Sequence, residues 1–557
     1  MRPATLLALL PFGALAQTAP TIRTPCGAVS GAVDALPFTG EPVHRYSAIP
    51  YAAPPLGALR FRPPQPFPCP WSGVLNGSAF MVECIQTSGS GSEDCLQLDV
   101  YVPANASAGA PLPVFVYFHG GNLIGGSAPT SALGVVAAKV PGGMIGVGVN
   151  YRLNTLGFLA LDELAAEAGW VGNQGIADAI AALQWVQRSI SAFGGDPSRV
   201  TIAGQSSGGT LIFALFAAPS AAGLFTGAFS MSGSPNITQG AAAKRAQDAP
   251  ILATLNCSAP PTAAGRVACL RALPAHALGQ ATNTLAPSWG TPGIFGWSLP
   301  AGIPPPAAGG WDYAGIVHVD GVLLTAPFHE ALAAELVPAA LIISNMEAEG
   351  DGGGGIGVRN ATAAAWGAAL NASFSRWPQG AGVAARVGDA YRAEALVDPD
   401  LAYGSINSDF GLSCPARSLA LSVAATGKAR AHPLYIMFNA HQKSAWSPSG
   451  AGRWPYHGLD WQNLGWGWSS GFAPQPSDWA AAALLQQLVG DFAAGRGVLP
   501  AAWAWPPVAP GQPLSTFVVA QEGGWPGGGS RAVVGFKERQ CGVLEAVGFS
   551  QTYWWCD

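Results

Sequence analysis

Five short runs of apolar and β-branched residues recur along the chain, at 112–118, 144–150, 199–203, 341–344 and 434–438, and the loops after them are rich in glycine. Runs that are apolar throughout, rather than alternating with polar positions, are expected of strands buried on both faces. Between and after them fall stretches with helical periodicity, clearest at 176–190 and 480–493. Strands alternating with helices predict an α/β architecture: a large, mostly parallel central sheet flanked by helices on both faces. In such sheets the chemistry gathers at the carboxyl ends of the strands. The first hundred residues differ. Their short segments are broken by Pro and Gly, which predicts a small antiparallel edge. No linker divides the chain, so one domain is expected over 17–557, with long insertions that are least regular at about 285–315.

Composition narrows this picture. Of the 557 residues, 49% are hydrophobic and 10% charged, enough for a large core, and the formal net charge is −5. Without a basic block, nucleic acid is not an expected partner. The first 16 residues read as a secretory signal. Arg2 supplies the charge, Leu6 to Leu15 the apolar stretch and Ala14-Leu15-Ala16 the small-residue site, with cleavage expected before Gln17. That run is too short to span a bilayer, and no later run reaches 18 uninterrupted apolar residues, so a secreted, soluble protein without stable membrane insertion is expected. Six N-x-S/T sequons, at Asn76, Asn105, Asn236, Asn256, Asn360 and Asn371, are compatible with glycosylation on that route. Nine cysteines suit an oxidising compartment, and none forms a C-x-x-C pair that would suggest zinc.

The stretch 200-VTIAGQSSGGT-210 contains G-x-S-x-G as Gly204-Gln205-Ser206-Ser207-Gly208. It follows a strand pattern and precedes a helical one, the context in which this motif forms a sharp turn presenting its central serine. Ser206 is the expected nucleophile, and Ser207 contributes a backbone N–H. A second glycine-rich loop, His119-Gly120-Gly121-Asn122, follows the run at 112–118. Its Gly121 and Asn122 amides, with that of Ser207, form the expected oxyanion hole. Such donors stabilise the charge that develops on an ester carbonyl oxygen. His119 is expected to brace the loop. A nucleophile of this kind is followed in chain order by an acid and then a histidine. That order leaves Glu347 and Glu349 as acids after the run at 341–344, and His432, His441 and His457 as bases.

Several dispersed motifs resemble the type-B carboxylesterase family, which includes cholinesterases and fungal lipases and has the α/β-hydrolase fold. They are YSAIPYAAPPLGALRF (46–61), SEDCLQLDVYVP (92–103), YFHGG (117–121), NYRLNTLGFL (150–159), FGGDPSRVTIAGQSSGG (193–209), SDFGLSCP (408–415) and HGLD (457–460). The resemblance implies Glu349, directly before Gly350, as the acid and His457 as the base, with Glu347 left as a solvated loop carboxylate. It implies a serine esterase working through an acyl-enzyme, with no metal and no organic cofactor. It also implies disulfides Cys84–Cys95, Cys257–Cys269 and Cys414–Cys541. Cys26 and Cys69 could form a fourth, leaving Cys556 free or joining two chains as a dimer. Arg60 with Glu93 and Arg152 with Asp178 are expected as structural ion pairs, and Asp409 as a buried structural acid.

Departures from the family pattern bear on substrate. Gln205 stands where most relatives have Glu, and the loop between Cys84 and Cys95, IQTSGSGSED, carries no aromatic residue. Cationic choline esters are therefore not expected. The same ten-residue loop is short for an apolar lid, which favours small dissolved esters over interfacial lipase substrates. Gln239 stands where relatives place a Trp at the acyl pocket, implying a polar or roomier acyl site. Trp461, Trp466 and Trp468 follow His457 and either line the substrate site or, as the simpler reading, pack in the core. A catalytically silent adhesion relative is the remaining alternative, and the presence of Ser206, Glu349 and His457 weighs against it.

Overall fold

A computed structural model describes residues 18–106, 110–128, 130–285, 316–353, 362–442, 454–468, 472–521 and 529–547. The expected signal segment, Asn360, Cys556 and most of the irregular stretch at 285–315 lie outside the described residues. Thirteen strands build one sheet among them: β1 (Thr18–Thr24), β2 (Gly27–Ala35), β3 (Pro42–Pro50), β4 (Val74–Asn76), β5 (Gln97–Pro103), β6 (Leu112–Phe118), β7 (Ile145–Val149), β8 (Gly195–Gln205), β9 (Gly227–Met231), β10 (Ala340–Met346), β11 (Leu434–Asn439), β12 (Ser515–Val519) and β13 (Arg531–Val534). Their order is β1-β2-β3-β5-β7-β6-β8-β9-β10-β11-β12-β13, with β4 alongside β2.

The seven strands from β7 to β12 in that order are parallel to one another. The antiparallel edge at the N-terminal side takes in β1, β2, β3 and β5, more than the small edge expected. A second antiparallel edge, β13 on β12, carried no clear sequence pattern. Both faces of the central strands are buried. Val114, Val116, Phe118, Leu341 and Ile343 face one apolar cluster, and the intervening Phe115, Tyr117 and Ile342 face another. Helices Gln174–Ser189 and Ser207–Phe216 cover the first face, and Thr130–Lys139 and Pro476–Ala494 the second. This three-layer arrangement is the expected α/β-hydrolase fold. Among the described residues no helix is long and apolar enough to cross a membrane.

Disulfides pin the margins: Cys26–Cys69, Cys84–Cys95, Cys257–Cys269 and Cys414–Cys541 are all bonded. Arg60 pairs with Glu93 at 2.6 Å beside the Cys84–Cys95 loop, and Arg152 pairs with the buried Asp178 at 2.7 Å. Trp466 and Trp468 are buried in the second apolar cluster, edge-on to Trp479 at 5.0 Å each, so core packing accounts for both.

Candidate active site

Parallel pairing places Phe118 at the end of β6 opposite Gly204 near the end of β8, so the loops that follow them are neighbours. The β8 loop turns abruptly into helix Ser207–Phe216. Ser206 takes φ 60° and ψ −130° at that turn, a conformation rare for any residue but glycine. The flanking glycines are there for space. A Cβ on Gly204 would lie 2.1 Å from the Gly208 carbonyl oxygen, and one on Gly208 would lie 2.2 Å from that of Phe118. The turn is held by Ser206 N–H donating to the Met231 carbonyl at 2.8 Å and by its own carbonyl accepting from Gly209 N–H at 2.7 Å. The Ser206 side chain lies against Gly120.

The loop after β6 is also strained. Asn122 and Leu123 have φ of 57° and 56°, a left-handed pair that Asn tolerates better than most residues. Among the described residues, the Gly121 and Asn122 N–H groups donate to no protein acceptor. Leu123 N–H donates to Ser207 Oγ at 3.0 Å, so the Ser207 side chain ties the two loops together in addition to its backbone position. Gln86 adds a brace that the sequence did not reveal. Its Oε1 accepts from Gly126 N–H at 2.7 Å and its Nε2 donates to the Gly126 carbonyl at 3.0 Å. The Cys84–Cys95 loop is thereby fastened to the loop after β6. His119 stacks on Tyr151 at 4.5 Å, and its carbonyl accepts from the Tyr151 hydroxyl at 2.6 Å. Burial pushes the His119 imidazole down to about 4, which keeps it neutral near pH 7 and suits a brace rather than a base.

Glu349 follows β10, three residues beyond the strand's last paired residue, Met346. Its Oε2 lies 2.6 Å from His457 Nδ1, its Oε1 accepts from Met346 N–H at 2.8 Å, and its carbonyl accepts from His457 N–H at 3.0 Å. Acid and imidazole are thus joined by both side chain and backbone. Because a carboxylate only accepts, the proton of a neutral His457 sits on Nδ1 and Nε2 is left as the basic nitrogen. The next residue, Gly458, has φ 85°, and a Cβ there would stand 3.5 Å from the Gln205 amide. His457 therefore arrives beside the residue that precedes Ser206. The other histidines lie elsewhere. His432 is near Glu335 at the start of β11, and the buried His441 is 3.4 Å from Asp478.

Glu347 corrects an expectation. It is 1% exposed rather than solvated. Ser405 Oγ donates to its Oε1, and Lys537 Nζ lies 3.2 Å from that same oxygen. Lys537 is also 3.0 Å from Asp409, whose other partner is the Tyr391 hydroxyl at 2.7 Å. Burial pushes the Asp409 carboxyl up to about 6, against the pull of Lys537. One turn after Ser405, Ser408 Oγ accepts from Glu349 N–H at 2.7 Å while donating to the Gly404 carbonyl at 2.9 Å. Helix Pro399–Ser408 thus grips the acid loop at both glutamates. Beneath Glu349 lies Asp460, 1% exposed, accepting from Ser344 Oγ at 3.3 Å and Trp461 N–H at 2.8 Å. Burial, and then the nearby Glu349 charge, push Asp460 up to about 7.

Around the expected pocket, Gln205 Nε2 is buried without a hydrogen-bond partner among the described residues. Gln239 Nε2 donates to Gln247 Oε1 at 3.1 Å, which turns that amide toward the neighbouring helix Ala241–Asp248. Trp461 stacks on Tyr117 at 3.8 Å. No group of three or more His, Cys, Asp or Glu side chains among the described residues is arranged to hold a metal ion.

Comparison with known proteins gives this geometry a context. Human cocaine esterase is 40% identical over 246 residues, 41% of this chain and 43% of that protein. Mouse pyrethroid hydrolase Ces2a is 39% identical over 233 residues, 39% of this chain and 40% of its own length. Carboxylesterase 3 of Pongo abelii is 40% identical over 271 residues, 45% of this chain and 46% of that protein. The matched segments therefore span less than half of each relative. The model of the carboxylesterase family matches residues 18–351, from the first strand through the Glu349 loop, and by that match over more than half its length the chain belongs to the carboxylesterase family.

Proposed function

We propose that this protein is a secreted serine hydrolase of uncharged, dissolved carboxylic esters. The observation that carries the reading is the 2.6 Å contact between Glu349 and His457 in a chain whose strained β8 turn presents Ser206 beside the oxyanion loop. In the first step His457 Nε2 takes the Ser206 hydroxyl proton as Oγ attacks the ester carbonyl. The Gly121, Asn122 and Ser207 N–H groups receive the developing oxyanion, and Glu349 stabilises the imidazolium. The imidazolium proton passes to the departing alcohol, leaving an acyl-Ser206. Water then enters by the same route, giving up a proton to His457, and the free acid leaves as Ser206 recovers its hydrogen.

Gln205, neutral where a carboxylate would attract cations, supports uncharged substrates. Anchoring of the Cys84–Cys95 loop to Gly126 through Gln86 supports dissolved esters over lipid aggregates, since a fastened loop does not swing open at an interface. Four disulfides and exposed sequons at Asn76, Asn105, Asn256 and Asn371 support export.

A fluorophosphonate probe tests the reading. Native protein is expected to label and Ser206→Ala is not. An unlabelled native protein refutes the enzyme and leaves the adhesion alternative. A panel of p-nitrophenyl esters of rising chain length is expected to favour short acyl groups. A long-chain optimum raised by emulsion would instead make it a lipase.

A further inference from the structure

Away from this site, between the N-terminal strands and helix Gln174–Ser189, lies a cavity of about 280 Å³. Phe67, Trp71 and Trp185 wall it, and the Cys26–Cys69 disulfide closes one side. The helix presents Gln184 and Arg188 to it, four residues apart and so on the same face. Arg188 is exposed and makes no ion pair, hydrogen bond or ring contact among the described residues. No acidic side chain lines the cavity. β3, whose end leads into it, stands four strand positions from β8, on the order of 19 Å across the sheet. A ligand held there does not touch Ser206.

We propose that this cavity is a second small-molecule site, for a flat aromatic carboxylate of one or two rings. Aromatic walls favour a planar apolar body through stacked and edge-on contacts. A guanidinium without an internal partner takes a carboxylate through two parallel N–H···O bonds, and Gln184 adds a donor one turn away. The volume is at the small end for ligand pockets, which excludes acyl chains of lipid length. The charge pattern, one cation and no anion, excludes amines.

The test is calorimetric titration of the full chain with 2-naphthoate and with the isosteric uncharged 2-naphthamide. The native protein is expected to bind one naphthoate per chain, about tenfold or more tighter than the amide. Arg188→Gln, at an exposed position, is expected to erase that preference and leave p-nitrophenyl acetate turnover and the melting temperature unchanged. The proposal is overturned if native protein does not bind naphthoate at about 5 mM, a Kd too weak for a built site. It is equally overturned if Arg188→Gln keeps the preference for the acid, which would place binding at the ester site instead.

Discussion

Replacing Ser408 by Ala isolates the hold of helix Pro399–Ser408 on the acid loop. Ser408 is 1% exposed, and its hydroxyl is the acceptor for Glu349 N–H at 2.7 Å. Without it a buried amide loses its acceptor, a penalty of about 1–3 kcal/mol. The loop can relieve this by shifting, but Glu349 is joined to His457 through both backbone and carboxylate, so a shift moves the imidazole too. Misplacement by about 1 Å in such an arrangement lowers turnover on the order of a hundredfold. The expected result is kcat reduced roughly 10- to 100-fold with KM within about threefold, because neither Glu349 nor Ser408 binds the ground-state ester. Turnover of p-nitrophenyl acetate, normalised to sites titrated by fluorophosphonate, separates this from a loss of folded protein. Ser405→Ala is the comparator: it loses a bond to Glu347 and leaves Glu349 N–H satisfied. It is expected to lower the melting temperature more than kcat. If Ser408→Ala melts lower but keeps kcat per titrated site within twofold of native, the helix only stabilises the fold and the positioning argument fails.

Two further outcomes follow from the buried acids. Lys537→Met leaves Glu347 and Asp409 without their shared cation and is expected to destabilise by about 3–5 kcal/mol. Asp409 is protonated below about 6, so the drop in melting temperature should be smaller at pH 5 than at pH 8; a drop that does not depend on pH would argue against a charge effect. Asp460 has a folded value near 7 against an ordinary 3.8, so its penalty begins near pH 4, grows with pH and is complete above 7, reaching at most on the order of 4 kcal/mol. Asp460→Asn should therefore gain melting temperature over native between pH 5 and 8, and a constant difference across that range would contradict the assignment.

What the sequence made legible is what the backbone itself demands over a few residues. The turn at Ser206 needs glycines at 204 and 208 because strand and helix nearly touch there, and that need is written within five positions. The runs at 112–118 and 434–438 are apolar throughout because both faces of β6 and β11 are covered. Glu347 went the other way. Nothing near it in the chain shows that Ser405 and Lys537 will close over it, since those partners are 58 and 190 residues distant. Gln86 was hidden for the same reason, being an ordinary polar residue until the Cys84–Cys95 loop folds onto Gly126. The strand β13 was missed because Arg531–Val534 is short and largely exposed, and only pairing with β12 makes it a strand.

The Cys414–Cys541 bridge joins cysteines 127 positions apart, and His457 lies inside that span while Lys537 sits four residues before its end. A protease cutting the backbone once within the span would not set the imidazole adrift. Both pieces would remain one molecule, with His457 and the buried lysine still tethered to the body that carries Ser206. Loss of either piece then takes two events, a nick and a reductant, so without a reductant the protein outlasts a single cleavage.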